Sequence, residues 1–420
     1  MMLDSIVTHV MRAMVRGTTA GIASALLTFS STACWETHTH SPTIDEVFEI
    51  GALVALSGPN RGAGPLHLAA MECALEDART ELDLNGYDFR LSYADTQSDP
   101  YAASVLMNTQ LLRNVRIMIG PYTSAQVAAT APRIAESQSL LISPSSTSLF
   151  LANRNDHIFR MAPNDSHMAE ELVDLISERG HESLVLVYRD DIWGRSVAGE
   201  VDRSFTARGG NIISAHGYDP GSTDDFTNIL KQVRDEVTAA TGGGPTSDHA
   251  IQLTSMGEGV QFFGAAADSV PELADVSWYG SDGFVGVWSI FDDTDIAEFA
   301  VDVNYTAPTY RVNVPERLWH VVERMEYLTG TTPGAYTLLT YDATRIAART
   351  LASVGSHVSY AELESALRAV LDEYIGVSGW VQMAVMGDRY DGDYDFYTVQ
   401  SNGWEYWWEM IAPENRRVLP

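Results

Sequence analysis

Lysine is almost missing: Lys231 is the only one in 420 residues, and 26 basic side chains face 56 acidic ones, for a formal net charge of −30. A surface so negative repels polyanions, which argues against nucleic acid or an anionic membrane face as a partner. The charge reads instead as a solubilising surface of the kind salt-adapted proteins carry. Cysteine is as scarce, with only Cys34 and Cys73. If Cys34 is spent on an anchor, no intramolecular disulfide can form. Cys73 falls at helical spacing with Leu66, Ala70, Ala74 and Ala78 and reads as a buried structural thiol rather than a nucleophile. No stretch of about eighteen apolar residues follows the N-terminal region, so no membrane span is expected. The catalytic signatures are missing too: there is no Gly-x-Ser-x-Gly, no His-Glu-x-x-His and no Cys-x-x-Cys. His157, His181, His216 and His249 are scattered near strand ends, where solvated or capping roles fit better than catalysis. No enzyme, cofactor or metal site is expected.

The N-terminus carries Arg12 and Arg16, an apolar and small-residue run over Gly17 to Phe29, and then Ser30-Ser31-Thr32-Ala33-Cys34. This is a secretion signal in outline, and the small residues before Cys34 resemble a lipobox, with Ser31 where leucine is usual. The expectation is a signal over 1–33, a lipid anchor at Cys34 and a polar tether over 34–47. His38-x-His40 within that tether is an exposed segment rather than a metal site.

From residue 48 onward strand and helix patterns alternate. Strands are expected at 48–56, 87–94, 115–119 and 140–143, separated by helices 65–84, 100–113 and 125–137. After Phe159-Arg160-Met161-Ala162-Pro163 the rhythm restarts, with strands 183–188, 211–217, 249–254 and 275–280 between helices. Regular alternation of this kind implies parallel sheets covered on both faces, and a restart implies a second sheet. Val301 to Thr306 reads as a strand crossing back, followed by helices 315–328 and 334–353, and a last strand lies near 395–398.

Two stretches concentrate the chemistry. In Ile119-Gly120-Pro121-Tyr122-Thr123-Ser124 and Ile142-Ser143-Pro144-Ser145-Ser146-Thr147, a short apolar strand breaks at Gly or Pro and small hydroxyl residues follow. Such strand ends offer unpaired backbone N–H groups, and the first adds a helix dipole, so together they suit a carboxylate. Read singly, Ser124 is a helix cap and Ser145 to Thr147 a turn. The loop Gly58 to Gly64 is neither Gly-x-Gly-x-x-Gly nor a Walker sequence and has no lysine for a phosphate.

These segments, together with Tyr279-Gly280-Ser281-Asp282-Gly283, Tyr341-Asp342-Ala343, Gly376-Val377-Ser378-Gly379-Trp380 and Gly387-Asp388-Arg389, resemble the type I periplasmic binding proteins. The leucine/isoleucine/valine-binding proteins of bacterial ABC importers are the likeness in question, and it runs from about Ile50 to Trp407. It implies an α/β fold of two Rossmann-like lobes with parallel sheets, joined by a three-strand hinge in a Venus-flytrap arrangement. Lobe 1 would comprise 48–163 and 304–394, and lobe 2 would comprise 164–303 and 395–420. The resemblance further implies that Ser124, with Thr123, Ser145, Ser146 and Thr147, holds a ligand carboxylate while Asp282 faces its ammonium. The loop Leu56-Ser57-Gly58-Pro59 would lie at the cleft. Two departures stand out: the family's aromatic residues fall near Ala63 and near Ser255 or Met256, leaving Trp193 as the aromatic wall. The implied partners are a small amino-acid-like ligand and an ABC permease, with the membrane reached only through the anchor. A ligand sensor on the same fold is the alternative.

Overall fold

The computed structural model describes residues 46–82, 87–154, 156–221, 226–242, 248–390 and 392–411. The expected signal segment and Cys34 lie outside the described residues. The first sheet is built from β1 (Glu46–Val54), β2 (Tyr87–Asp95), β3 (Ile117–Ile119), β4 (Leu140–Ser143) and β5 (Ile158–Arg160), in the order β2-β1-β3-β4-β5 and parallel throughout. Every residue of β3 and β4 is buried, as strands covered on both faces require. Between them run α1 (Gly64–Glu81), α2 (Pro100–Leu112) and α3 (Ser124–Ala135). Glu46 and Val47 pair with Tyr87 and Asp88, so the strand takes up the last two residues of the expected tether.

The second sheet gathers β6 (Ser183–Arg189), β7 (Asn211–Tyr218), β8 (His249–Thr254), β9 (Ser277–Tyr279) and β10 (Thr306–Tyr310), with α4 (Asp165–Glu178) ahead of β6 and α5 (Ile192–Ala207), α6 (Phe226–Thr241), α7 (Gly259–Ser269) and α8 (Thr294–Asp302) between the strands. The crossing strand expected over Val301 to Thr306 is corrected here. Asp293 caps a helix by accepting from Asp295 N and Ile296 N, and Ala297, Phe299 and Ala300 bury its face through Asp302. Asn304, at φ +50°, then turns the chain into β10. The alternation of Val301, Val303 and Tyr305 imitates a strand but belongs to a helix end and its turn.

The chain then returns to the first sheet, where α9 (Trp319–Thr329) and α10 (Ala335–Val354) pack on α1. Residues 316–318 form a 3₁₀ turn ahead of α9. Several elements beyond α10 escape the sequence patterns. The helix α11 (Tyr360–Glu373) starts at a capping box between Ser359 and Glu362. Past the short hairpin of β11 (Ile375–Gly376) and β12 (Gly379–Trp380), β13 (Tyr394–Ser401) joins β10 antiparallel, and β14 (Tyr406–Ile411) closes that edge. The second sheet is therefore ordered β14-β13-β10-β9-β8-β6-β7.

The chain thus passes between the sheets three times, near Pro163, after Tyr310 and before Tyr394. These passages touch one another: a Cβ on Gly392 would stand 2.6 Å from Pro163 Cγ and 2.3 Å from Tyr310 Cε2. Only glycine lets the third passage lie against the other two.

Candidate ligand-binding site

The chemistry-bearing residues of both sheets follow the carboxyl ends of parallel strands. Thr123 and Ser124 follow β3, Ser145 to Thr147 follow β4, and Asp165 follows β5. In the second sheet Trp193 follows β6, Ser255 follows β8 and Asp282 follows β9. In open α/β sheets that end is where a crevice for ligands forms.

Each turn has a local cause. Gly120 adopts φ +79°, and a Cβ there would meet Leu53 O at 2.4 Å, so a side chain is excluded at the bend. Thr123 caps α3 by accepting Gln126 N at 3.4 Å, which makes Ser124 the first helical residue. Below this bend His67 stacks on Tyr122 at 3.8 Å and pairs with Thr340 Oγ1 at 2.8 Å. Burial pushes its imidazole down to about 3, so it is a neutral packing group. The Ser57 loop is pinned by Asp95, which accepts Leu56 N at 2.9 Å and Ser57 Oγ at 2.7 Å.

The two hydroxyl stretches come together. Ser124 Oγ lies 3.0 Å from Ser146 Oγ and accepts Ser148 N at 3.2 Å. Ser145 Oγ donates to Tyr122 O at 2.8 Å, and Ser143 Oγ to Pro121 O at 2.7 Å. The β4 turn also reaches the second sheet: Ser148 Oγ donates to Ile192 O at 3.0 Å and Leu149 N to Ser196 Oγ at 2.9 Å.

Across from it, Asp191 caps α5 by accepting Trp193 N at 3.0 Å and Gly194 N at 2.9 Å. Gly194 is needed because its Cβ would stand 2.0 Å from Arg189 O. Arg189 supports the indole from 5.9 Å while bonded to Asp191 and Glu258, both at 2.7 Å. Trp193, Ser255 and the Asp282 turn then meet around Gly283, whose Cβ would lie 2.7 Å from Trp193 Cη2 and 2.9 Å from Ser255 O. Ser281 Oγ donates to Ser255 O at 3.2 Å, while Ser255 Oγ itself is buried without a partner.

Two residues with no distinctive sequence signal complete the wall. Tyr336, at the start of α10, donates its hydroxyl to Asp282 Oδ2, joining the two lobes. Asp165, 1% exposed in the first turn of α4, is reached by the hydroxyls of Ser196 and Thr147. Burial pushes its carboxyl up to about 7, against those hydrogen bonds and with added repulsion from Asp282. Burial also raises the Asp282 carboxyl, opposed by the Tyr336 hydrogen bond. Asp282 Oδ1 and Asp165 Oδ2 are both buried with no hydrogen-bond partner. Asn164 caps the helix by accepting Ser166 N at 3.1 Å, and an acid in a first turn reads as dipole chemistry, so the sequence alone does not mark Asp165 as a ligand group.

The most buried ion pair nearby is structural. Arg160 holds both oxygens of Asp388, at 2.7 and 2.6 Å, and donates to Ser148 O at 2.6 Å. Asp342 likewise accepts Val377 N at 3.0 Å, Ser378 N at 2.8 Å and Tyr374 OH at 2.9 Å. Among the described residues no group of three His, Cys, Asp or Glu side chains is arranged to hold a metal.

A family model described as periplasmic binding protein matches residues 47–403. An uncharacterised protein of Methanocaldococcus jannaschii is 23% identical over 88% of this chain and 91% of its own. The chemotactic signal transduction system substrate-binding protein BasB of Halobacterium salinarum is 27% identical over 52% of this chain and 50% of its own. Among solved structures, the fold is similar to the branched-chain amino acid substrate-binding protein LivJ of Streptococcus pneumoniae in complex with isoleucine, at a TM-score of 0.67 and 18% identity over 88% of this chain and all of that one. It is equally similar to an ABC-transporter solute-binding protein of R. palustris in complex with 4-hydroxybenzoate, at a TM-score of 0.71 and 16% identity over 87% of this chain and 96% of that one. The family match across both lobes settles the class: the chain belongs to the periplasmic binding protein family, whose members bind solutes outside the cytoplasm and are not enzymes.

Proposed function

We propose that this chain captures an amino-acid-like ligand between its lobes and delivers it to an ABC permease, tethered to the membrane through a lipid on Cys34. The observation that carries this reading is the opposition of two unlike walls. Ser124, Thr123, Ser145, Ser146 and Thr147 gather hydroxyls and a helix N-terminus on one side, while Asp282 presents a buried, unpartnered oxygen from the other. A zwitterion needs that pairing, because each charge-assisted hydrogen bond contributes about 1.5–3 kcal/mol. Trp193 and Ser255, packed beside Gly283, would face the remainder of the ligand.

Isothermal titration with free amino acids, their amides and their decarboxylated amines tests it. Asp282→Asn leaves an ammonium without its counter-charge and is expected to cost about 2–5 kcal/mol, roughly 30- to several-thousand-fold in affinity. Ser124→Ala removes one neutral group among several and is expected to cost less, about 1–3 kcal/mol. An Asp282→Asn variant that binds like the wild type sinks the amino-acid reading. The anchor is tested by fatty-acid labelling in cells, which should mark the wild type and not Cys34→Ala; equal labelling of the two removes it. A sensing role is the second reading, favoured by the likeness to a chemotactic substrate-binding protein. Deletion of this chain should abolish ligand uptake if it serves a permease, and abolish only the behavioural response if it serves a sensor.

A further inference from the structure

The amino-acid reading uses one carboxylate of the cleft and leaves a second unexplained. Asp165 projects from the start of α4, is 1% exposed, and keeps its Oδ2 buried with no hydrogen-bond partner. Asp282 keeps its Oδ1 in the same condition. The two carboxylates repel each other, and Tyr336 and Tyr394 feel the charge of both, so the four groups form one cluster. The nearest guanidinium does not neutralise it. Arg160 faces Asp165, but both oxygens of Asp388 and the Ser148 carbonyl occupy it. On the Trp193 side Arg189 is held by Asp191 and Glu258. With a single ligand ammonium, Asp165 meets its burial by holding a proton, whereas a second ligand cation would pair with its ionised form and with the Oδ2 that has no hydrogen-bond partner.

Resting on the amino-acid reading of this site, we propose that the ligand carries two cationic nitrogens, one answering Asp282 and the other Asp165. The substrate class is then the basic amino acids or a closely related diamino compound. Branched-chain amino acids and aromatic acids, which bring one cation or none, fit this wall less well.

The wild-type protein alone supplies one test. Asp165 titrates near pH 7 in the absence of ligand, facing Arg160, Asp282, Tyr336 and Tyr394. A second ligand cation requires its ionised form, whereas lysine stays dicationic throughout this range. Affinity for lysine should therefore fall on acidification from pH 8 to 5.5, approaching tenfold per unit below 7, and fall more steeply than affinity for leucine, which needs only Asp282 ionised. At pH 8, titration calorimetry should give lysine or ornithine at least a tenfold advantage over leucine and over 1,5-diaminopentane, which lacks the carboxylate, and Asp165→Asn should reduce the advantage over leucine at least tenfold. Leucine binding as tightly as lysine, a lysine affinity that is flat with pH, or a folded Asp165→Asn variant that keeps the advantage overturns the proposal. If leucine binds tightly and depends on Asp282 while no dicationic probe is preferred, only this inference fails. If no amino compound binds the wild type at all, the amino-acid reading itself fails.

Discussion

At the residue scale, the segments that make the sequence recognisable are of two kinds: turns that line the cleft, such as Ser145 to Thr147 and Asp282, and buried clamps away from it. Phe159-Arg160 and Gly387-Asp388-Arg389 lie far apart in the chain, and the structure joins them by a bidentate ion pair and by Arg160 N to Gly387 O at 2.8 Å. Tyr341-Asp342-Ala343 and Gly376-Val377-Ser378 are joined the same way, through the Asp342 carboxylate. Such wording identifies clamps that fix the return of the chain, and clamps tolerate few substitutes. Asp165 and Tyr336 carried no such signal, because an acid in a first helical turn and a tyrosine on an amphipathic helix are common everywhere. Removing half of a clamp leaves a buried charge. Asp388→Ala should therefore destabilise the fold by about 3–5 kcal/mol, since Arg160 at the site is 1% exposed and would lose its counter-ion. Denaturant melts of the two proteins check this, and a loss under about 1 kcal/mol would show that water or a rearranged carbonyl replaces the carboxylate.

At the scale of elements, the parallel strands were the most legible part. Short runs such as Leu140–Ser143 are buried on both faces, so they read as unbroken apolar stretches between turn residues. The crossing elements were the least legible. The α8 helix was hidden behind a false alternation, and α11 was passed over although Ser359-Tyr360-Ala361-Glu362 spells a capping box. What decides a passage between lobes is contact with the other passages, which no local pattern records. Gly392 is the case in point. Its Cβ would intrude on both Pro163 and Tyr310, so Gly392→Ala should cost about 1–3 kcal/mol through overpacking. Gly199→Ala is the control: it sits inside α5 with nothing within 4 Å, and should be neutral or stabilising by up to about 1 kcal/mol. Thermal melts that rank the two variants the other way would show that the three passages do not need close contact.

At the scale of the whole molecule, the cleft is closed by contacts that belong to neither lobe alone. Tyr336 reaches from α10 to Asp282, and the β4 turn reaches Ile192 and Ser196 on α5. These bonds are few and partly exposed to solvent once the lobes part, so they hold the closed form only modestly without a ligand. Hinge closure around a ligand is a motion for which periplasmic binding proteins are the standard instance. A ligand drives it only through tighter binding to the closed form, and moving the population from 1:99 to 99:1 takes about 5.5 kcal/mol of preference. Two charge-assisted contacts made only when both walls are present, at about 1.5–3 kcal/mol each, come near that figure. Small-angle scattering at saturating ligand should accordingly give a smaller radius of gyration than the free protein. Tyr336→Phe removes a closed-state bond that needs no ligand, so its free form should be at least as open as the wild type and should still contract on binding. An unchanged radius for a ligand shown to bind would mean that the lobes are already locked, and that the Asp282 and Asp165 oxygens are reached by some route other than opening of the hinge.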